Sequence, residues 1–193
     1  MARRLSPEVR RAEIIDVAHA LIMEEGYRAL SLREVARRCG MSAPGLMHYF
    51  PDMPSLLEAV LVHRDEVDIA AIVGATRDED RLIEVIDGAM AYYADRTVET
   101  QRFDALEAEA LDPNHPAHAW FEARNRRNFE LLRPYVEREF AEPETVMLLL
   151  RYLMDGLRLN RIRRPDSVDV DQDRRALLAL FAALPRRVPA AVE

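Results

Sequence analysis

The sequence predicts an all-α chain of about nine helices, a short N-terminal set containing a helix-turn-helix and a longer C-terminal set, and three observations carry that expectation. Helical spacing of apolar residues dominates the 193-residue chain, with no convincing two-residue alternation and no internal repeat. Ser31 and Ser42 are N-cap signals on either side of a break at Gly40, so two very short helices are expected in succession. The segments "DPNHP", "AEPE" and "RPDSVDVD" concentrate the prolines and acids expected between helices.

Composition narrows the function classes. Hydrophobic residues make up 49% of the chain, enough for one or two domains with real cores. No run approaches the roughly 18 apolar residues of a membrane span, and "MARRLSPEVRRAEIID" lacks the apolar centre of a signal peptide, so a cytoplasmic location is expected. A single cysteine, Cys39, excludes an internal disulfide and argues against a cysteine-based zinc site. The net charge is −7, yet the first 50 residues hold eight arginines against six acids, so the basic end alone is suited to meet a polyanion.

The first helix is read from Ile14, Ala18, Leu21 and Ile22, one apolar stripe, with Pro7 in its first turn. Gly26 is expected to end it in a left-handed Schellman stop, with Tyr27 reaching back to Ile22. Ser31 and Glu34 form the sequence pattern of a capping box that opens a second helix of about seven residues. Its apolar face is Leu32, Val35, Ala36 and Cys39. Gly40 supplies a positive φ for the turn, Ser42 caps the third helix, and Leu46 and Phe50 face inward. Asp52 caps a fourth helix running to about residue 72, with Leu56, Leu57, Val60 and Leu61 toward the core. Beyond "GATRDED", Leu82, Val85, Ile86, Ala89, Met90 and Tyr93 make an unbroken stripe. Further helices are expected at about 98–111, 117–139, 143–163 and 172–184.

Residues 12–61, "AEIIDVAHALIMEEGYRALSLREVARRCGMSAPGLMHYFPDMPSLLEAVL", resemble the tetracycline-repressor (TetR) family of bacterial regulators. The resemblance covers about a quarter of the chain and rests on Gly26, the Ser-Leu-x-x-Val-Ala second helix, Gly40, Ser42 and the closing His-Tyr-Phe. "YLMDGLRLNRI" also looks like a segment common in one branch of the family. The resemblance implies a helix-turn-helix DNA-binding domain at residues 1–52. It implies an effector-binding and dimerisation domain at 53–193, with the helix 53–72 linking the two. It further implies a dimeric repressor released from a palindromic operator by a small-molecule effector. Two positions depart from the family pattern: Met47 stands where an aromatic is usual, and Met53 where a backbone-contacting lysine is usual. Losing that lysine lowers the salt dependence by about one counterion's worth.

In a helix-turn-helix the second helix enters the major groove with its opening residues at the base edges. Here those are Ser42, Ala43, Pro44 and Gly45, offering a hydroxyl, apolar contact with thymine methyls and close backbone approach. Arg33 is the candidate for a bidentate contact to guanine. Ser31, His48 and Tyr49 are placed for phosphates, Met47 lies beside them, and Arg3 and Arg4 are a candidate arm. One reading head covers few base pairs, so a dimer is required. Its expected surface is the last two helices, through Val146, Leu149, Leu150, Leu153, Leu177, Leu180, Phe181 and Leu184.

Polar residues interrupting apolar stripes are the candidate handles for an effector. Arg124, Asn125 and Asn128 accompany Phe121 on one helix, and Glu107 falls beside Phe103 on the preceding one. Met90, Tyr93, Trp120, Leu150 and Met154 would complete the wall. Glu107 with Arg124 reads either as a core ion pair or as a ligand site. His115 and His118, three apart beside Asp112 and Glu122, have zinc-like spacing, but the segment reads equally as a helix start, and no metal or other cofactor is assigned. No nucleophile, base and acid converge by spacing and no glycine-rich phosphate loop is present, so an enzyme is not expected. An interaction protein that keeps this architecture without specific DNA binding is the rival reading.

Overall fold

The computed structural model describes residues 6–167 and 169–187. The nine α-helices among them are α1 Pro7–Glu25, α2 Leu32–Arg38, α3 Ala43–Met47, α4 Met53–Ala75, α5 Leu82–Ala94, α6 Thr97–Glu109, α7 His118–Glu139, α8 Pro143–Arg163 and α9 Val170–Ala183. Single 3-10 turns lie at Tyr27–Ala29 and Pro165–Ser167. The expected helices are all present, with ends within a few residues of the sequence reading, as fraying termini allow. The chain divides into two compact units, one of residues up to Ile69 with Glu109–Trp120, the other of Ala70–Ala108 and the chain from Phe121 onward.

In the first unit α1 buries Ile14, Ile15, Ala18, Leu21 and Ile22. α2 buries Val35 and Ala36, α3 buries Leu46, and Phe50 and Cys39 join them out of solvent. Burial pushes the Cys39 thiol up from its ordinary value, which suits an inert core residue. Leu56, Leu57, Val60 and Leu61 of α4 are buried as expected.

Two caps differ from the sequence reading. Gly26 has φ 82° but ψ 158°, a conformation open to glycine but outside the left-handed helical well, so α1 ends with one ordinary helical bond to Ile22 and no Schellman stop. The Schellman pattern occurs at the end of α2 instead. The Met41 amide donates to the Ala36 carbonyl at 2.9 Å, the Gly40 amide to Arg37 at 3.2 Å, and Gly40 has φ 64°. Half of the expected capping box forms: Ser31 Oγ accepts from the Glu34 amide at 3.3 Å. The Glu34 carboxylate turns to Arg37, accepting from its guanidinium at 2.9 and 2.5 Å.

The second unit is built on Leu82 and Ile86 of α5, Phe129 and Val136 of α7, Phe140, Val146, Met147 and Leu150 around the start of α8, and Leu177 and Phe181 of α9. Glu139, at the end of α7, holds two other chain segments: it accepts from the Leu82 amide and pairs with Arg81 at 3.7 Å and Arg186 at 2.5 Å. Around it a short antiparallel bridge pairs Phe140 with Arg186. Arg187 donates to the Glu139 carbonyl at 2.9 Å, and the Arg186 guanidinium lies 4.4 Å from the Phe140 ring centroid. α9 is thereby tied back to the α7–α8 corner.

Phe181 is 2% exposed and its ring centroid lies 6.2 Å from that of Phe140. Phe181→Ala should lower unfolding free energy by about 3–5 kcal/mol. Urea unfolding followed by far-ultraviolet circular dichroism measures it.

Candidate nucleic-acid interface

The Gly40 turn sets α3 against α2. Ser42 Oγ accepts from the Gly45 amide at 3.2 Å, capping α3, and Pro44 sits in the first turn, where its missing N–H costs no helical bond. With Leu46 at 0% exposure as the inward anchor, Ser42, Pro44, Met47 and His48 are exposed, while Ala43, Gly45 and Tyr49 are half-buried. Ser31 and Arg33 are exposed at the start of α2. The structure therefore brings the sequence-predicted residues from 31 to 49 together around one helix-turn-helix. Arg3 and Arg4 lie outside the described residues.

Charge is distributed unevenly across this unit. Arg10 pairs with Glu13 at 2.6 Å, Arg28 with Glu109 at 3.0 Å, and Arg38 lies 3.4–3.7 Å from Glu24, Glu25 and Glu34. The hydrogen bonds from Arg37 hold the Glu34 carboxyl below its ordinary range. The Arg11 guanidinium stands 4.9 Å from the Phe50 ring centroid. Among the described arginines of the first 50 residues, Arg33 alone has neither a carboxylate nor an aromatic ring as partner. It stands in the first turn of the helix that supports α3.

The segment joining α6 to α7 belongs to this first unit. His115 packs edge-on to Tyr27, ring centroids 5.6 Å apart, and its Nδ1 accepts from the Ala117 amide at 3.2 Å. That bond places the imidazole hydrogen on Nε2, which is buried without a hydrogen-bond partner. His118 Nδ1 lies 2.8 Å from the Ala110 carbonyl. Backbone groups thus engage one ring nitrogen of each histidine. Among the described residues no three His, Cys, Asp or Glu side chains are arranged to hold a metal ion.

In the second unit, two buried acids of α6 meet two arginines of α8. Glu107 Oε1 accepts from Arg158 and, at 2.7 Å, from Asn125 Nδ2 of α7. Arg161 Nε donates to Asp104 Oδ2 at 2.8 Å. Arg124 is buried, with its guanidinium 5.0 Å from the Phe103 ring centroid, and Phe103 and Phe121 meet edge-on at 5.2 Å. Asn128 Oδ1 is buried without a hydrogen-bond partner. Of the candidate effector residues, Glu107 and Asn125 are thus committed to a hydrogen-bonded seam with Arg158, while Asn128 keeps an acceptor without a partner. Asp104, Arg158 and Arg161 were missed by sequence reasoning; their i, i+3 spacings, Asp104 with Glu107 and Arg158 with Arg161, were the available signal. Met90 and Met154 pack against the core that contains Leu150, Tyr93 is half-buried, and Trp120 falls in the first unit.

The expected dimer residues divide. Val146, Leu150, Leu177 and Phe181 are 0–3% exposed within the chain's own core, so they have no surface to offer a second copy. Leu149, Leu153, Leu180 and Leu184 are half-buried. The exposed stripe on α8 is Leu148, Tyr152 and Leu159, spaced i, i+4 and i+11.

A paired short helix, glycine turn and second short helix, with an uncompensated arginine beside it, define a helix-turn-helix DNA-binding protein. Residues 14–60 match the sequence profile of the bacterial regulatory proteins of the tetR family. The chain is similar to the HTH-type transcriptional regulator BetI of Cronobacter sakazakii, 29% identical over 77% of each chain. It is 41% identical to the Burkholderia thailandensis BetI over 56 residues, 29% of each chain. Among solved structures, a TetR regulator from Haloarcula marismortui superposes with a TM-score of 0.81 at 17% identity, covering 93% of this chain and 100% of that one. A regulator from Saccharomonospora viridis solved in complex with choline gives 0.72 at 15% identity, over 94% and 100%. Residues 14–60 are thus a tetR-family segment, and over most of its length the chain is similar to an HTH-type transcriptional regulator. Among its described residues no helix is long and apolar enough to cross a membrane.

His115 has a pKa lowered from 6.5, chiefly by burial and also by Arg28, against the opposing pull of Glu109 and Asp112. Below about pH 6.5 the unfolded chain binds the proton more readily, so this contribution to stability is present above that pH and is lost as pH falls. Wild-type stability should drop with acidification more than that of His115→Gln. Urea midpoints across that range, with the His115 imidazole titration by NMR, test this.

Proposed function

We propose that the protein is a homodimeric repressor that binds a palindromic operator and is released from it by a small-molecule effector, working in the cytoplasm. The observation that carries the DNA-binding part is the exposed, uncompensated Arg33 beside the outward face of α3. Arg33 reads a guanine by two parallel hydrogen bonds, the recognition geometry open to a guanidinium. Ser31, His48 and Tyr49 hold the flanking phosphates, and Arg3 and Arg4 extend the contact. Residues 1–52 form the DNA-binding domain and 53–193 the sensing and dimerising domain, with α4 leading from one to the other.

Two copies are needed to place heads about one DNA turn apart, near 34–36 Å. The exposed stripe Leu148, Tyr152 and Leu159, flanked by the half-buried Leu149, Leu153, Leu180 and Leu184, supports a dimer through α8 and α9. The effector engages the seam of α6, α7 and α8, where Asn128 retains an unmet acceptor and Phe103, Phe121, Tyr93, Met90 and Met154 supply adaptable apolar contact. The choline-bound Saccharomonospora viridis neighbour supports a small ligand for this architecture. Release requires that the effector bind the two conformations unequally.

Arg33→Ala should weaken binding to a duplex from the promoter adjoining its own gene by about 1–3 kcal/mol, with thermal midpoint unchanged. Fluorescence anisotropy at fixed salt measures it, and equal loss of folding would make Arg33 structural. Tyr152→Arg should convert the dimer to a monomer at micromolar concentration, read by sedimentation velocity. An unchanged sedimentation coefficient would remove α8 from the interface.

A further inference from the structure

The outward face of α3 is poor in hydrogen-bonding side chains. Ser42 Oγ accepts from the Gly45 amide, which commits part of its capacity to the cap. Pro44 has no N–H. At position 45 a Cβ would stand 3.1 Å from Ser42 Oγ and 3.6 Å from the Met41 methyl, so a side chain there disturbs the cap. What remains on that face is Ala43, Pro44 and Met47, spaced i, i+1 and i+4 opposite the buried Leu46, and Met47 is 50% exposed.

From this geometry we infer that Met47 is a specificity-determining residue that reads the C5-methyl groups of thymine in the major groove. The inference rests on the DNA-binding reading above. A thioether side chain has no donor with which to hold a phosphate. It is long and unbranched, and adapts its shape to an irregular apolar surface. The thymine methyl is the apolar feature that the four ordinary bases present in that groove. A thymine methyl that covers Met47 removes its exposed apolar surface from water. Arg33 then supplies guanine readout and Met47 thymine readout from adjoining helices, so a half-site should carry both bases.

Duplexes selected from a random pool by the full-length protein supply the probe, with thymidine replaced by deoxyuridine one position at a time. Removing the methyl that meets Met47 should weaken wild-type binding roughly fourfold, the worth of one buried methyl group. Met47→Ala should abolish that difference while leaving the helical circular dichroism signal unchanged. Met47→Gln should move the preference at the same position toward adenine, whose N6 and N7 a glutamine amide can engage together. Equal wild-type affinity for thymine and uracil at every position overturns the inference while DNA binding stands. A methyl effect that persists in Met47→Ala overturns the role of Met47 and passes it to Ala43 or Pro44. If no duplex is enriched, the DNA-binding reading falls and the inference with it.

Discussion

The left-handed backbone at Gly40 is the constraint on which the DNA-binding unit depends. With φ at 64° it lets the chain reverse while the Met41 and Gly40 amides satisfy the last carbonyls of α2. A side chain at that φ is strained whatever space surrounds it. The turn it creates delivers Ser42 as the next cap within two residues, and the cap lets a helix of only five residues persist. Isolated helices of that length are unstable in water, so α3 exists because its ends are satisfied and Leu46 is buried. The outward presentation of Ala43, Pro44 and Met47 is a consequence of those inward bonds.

Electrostatics in the same unit works by cancellation. The basic excess of the first 50 residues suggests a diffuse attraction to polyanions, yet Arg10, Arg28, Arg37 and Arg38 are each beside a carboxylate. These pairs are largely exposed, and exposed pairs of this kind contribute little to stability. Their larger effect is to confine the unpaired positive charge of α2 to Arg33. A surface with few free cations binds DNA with a shallow salt dependence, so on the proposed reading base contacts carry a larger share of the recognition.

The helices, their order and the helix-turn-helix were legible in the sequence because each signal acts within one turn of the chain. Ser31, Gly40, Ser42 and Asp52 specify caps and turns through bonds to residues three or four away. Legibility ended where the partner is distant. Nothing local distinguishes the Gly26 stop from the Gly40 stop, since ψ depends on where the next segment is held. Glu107 met Arg158, 51 residues on, and Asp104 met Arg161, 57 residues on. Apolarity alone did not separate the two sides of α8: Val146 and Leu150 are consumed by the chain's own core, while Leu148 and Tyr152 remain outside.

The compact unit that carries the helix-turn-helix is discontinuous in the chain. Residues 109–120 fold with it, fastened by Arg28 to Glu109 and by Tyr27 against His115, although about 40 residues of the other unit intervene after Ile69. Such a unit is not a cassette. A chimaera made with one junction, joining this reading head to a foreign sensor, would inherit Tyr27 and Arg28 facing an unrelated connector. Retargeting by exchange of parts therefore calls for two cuts, with the α6–α7 connector carried along as part of the head.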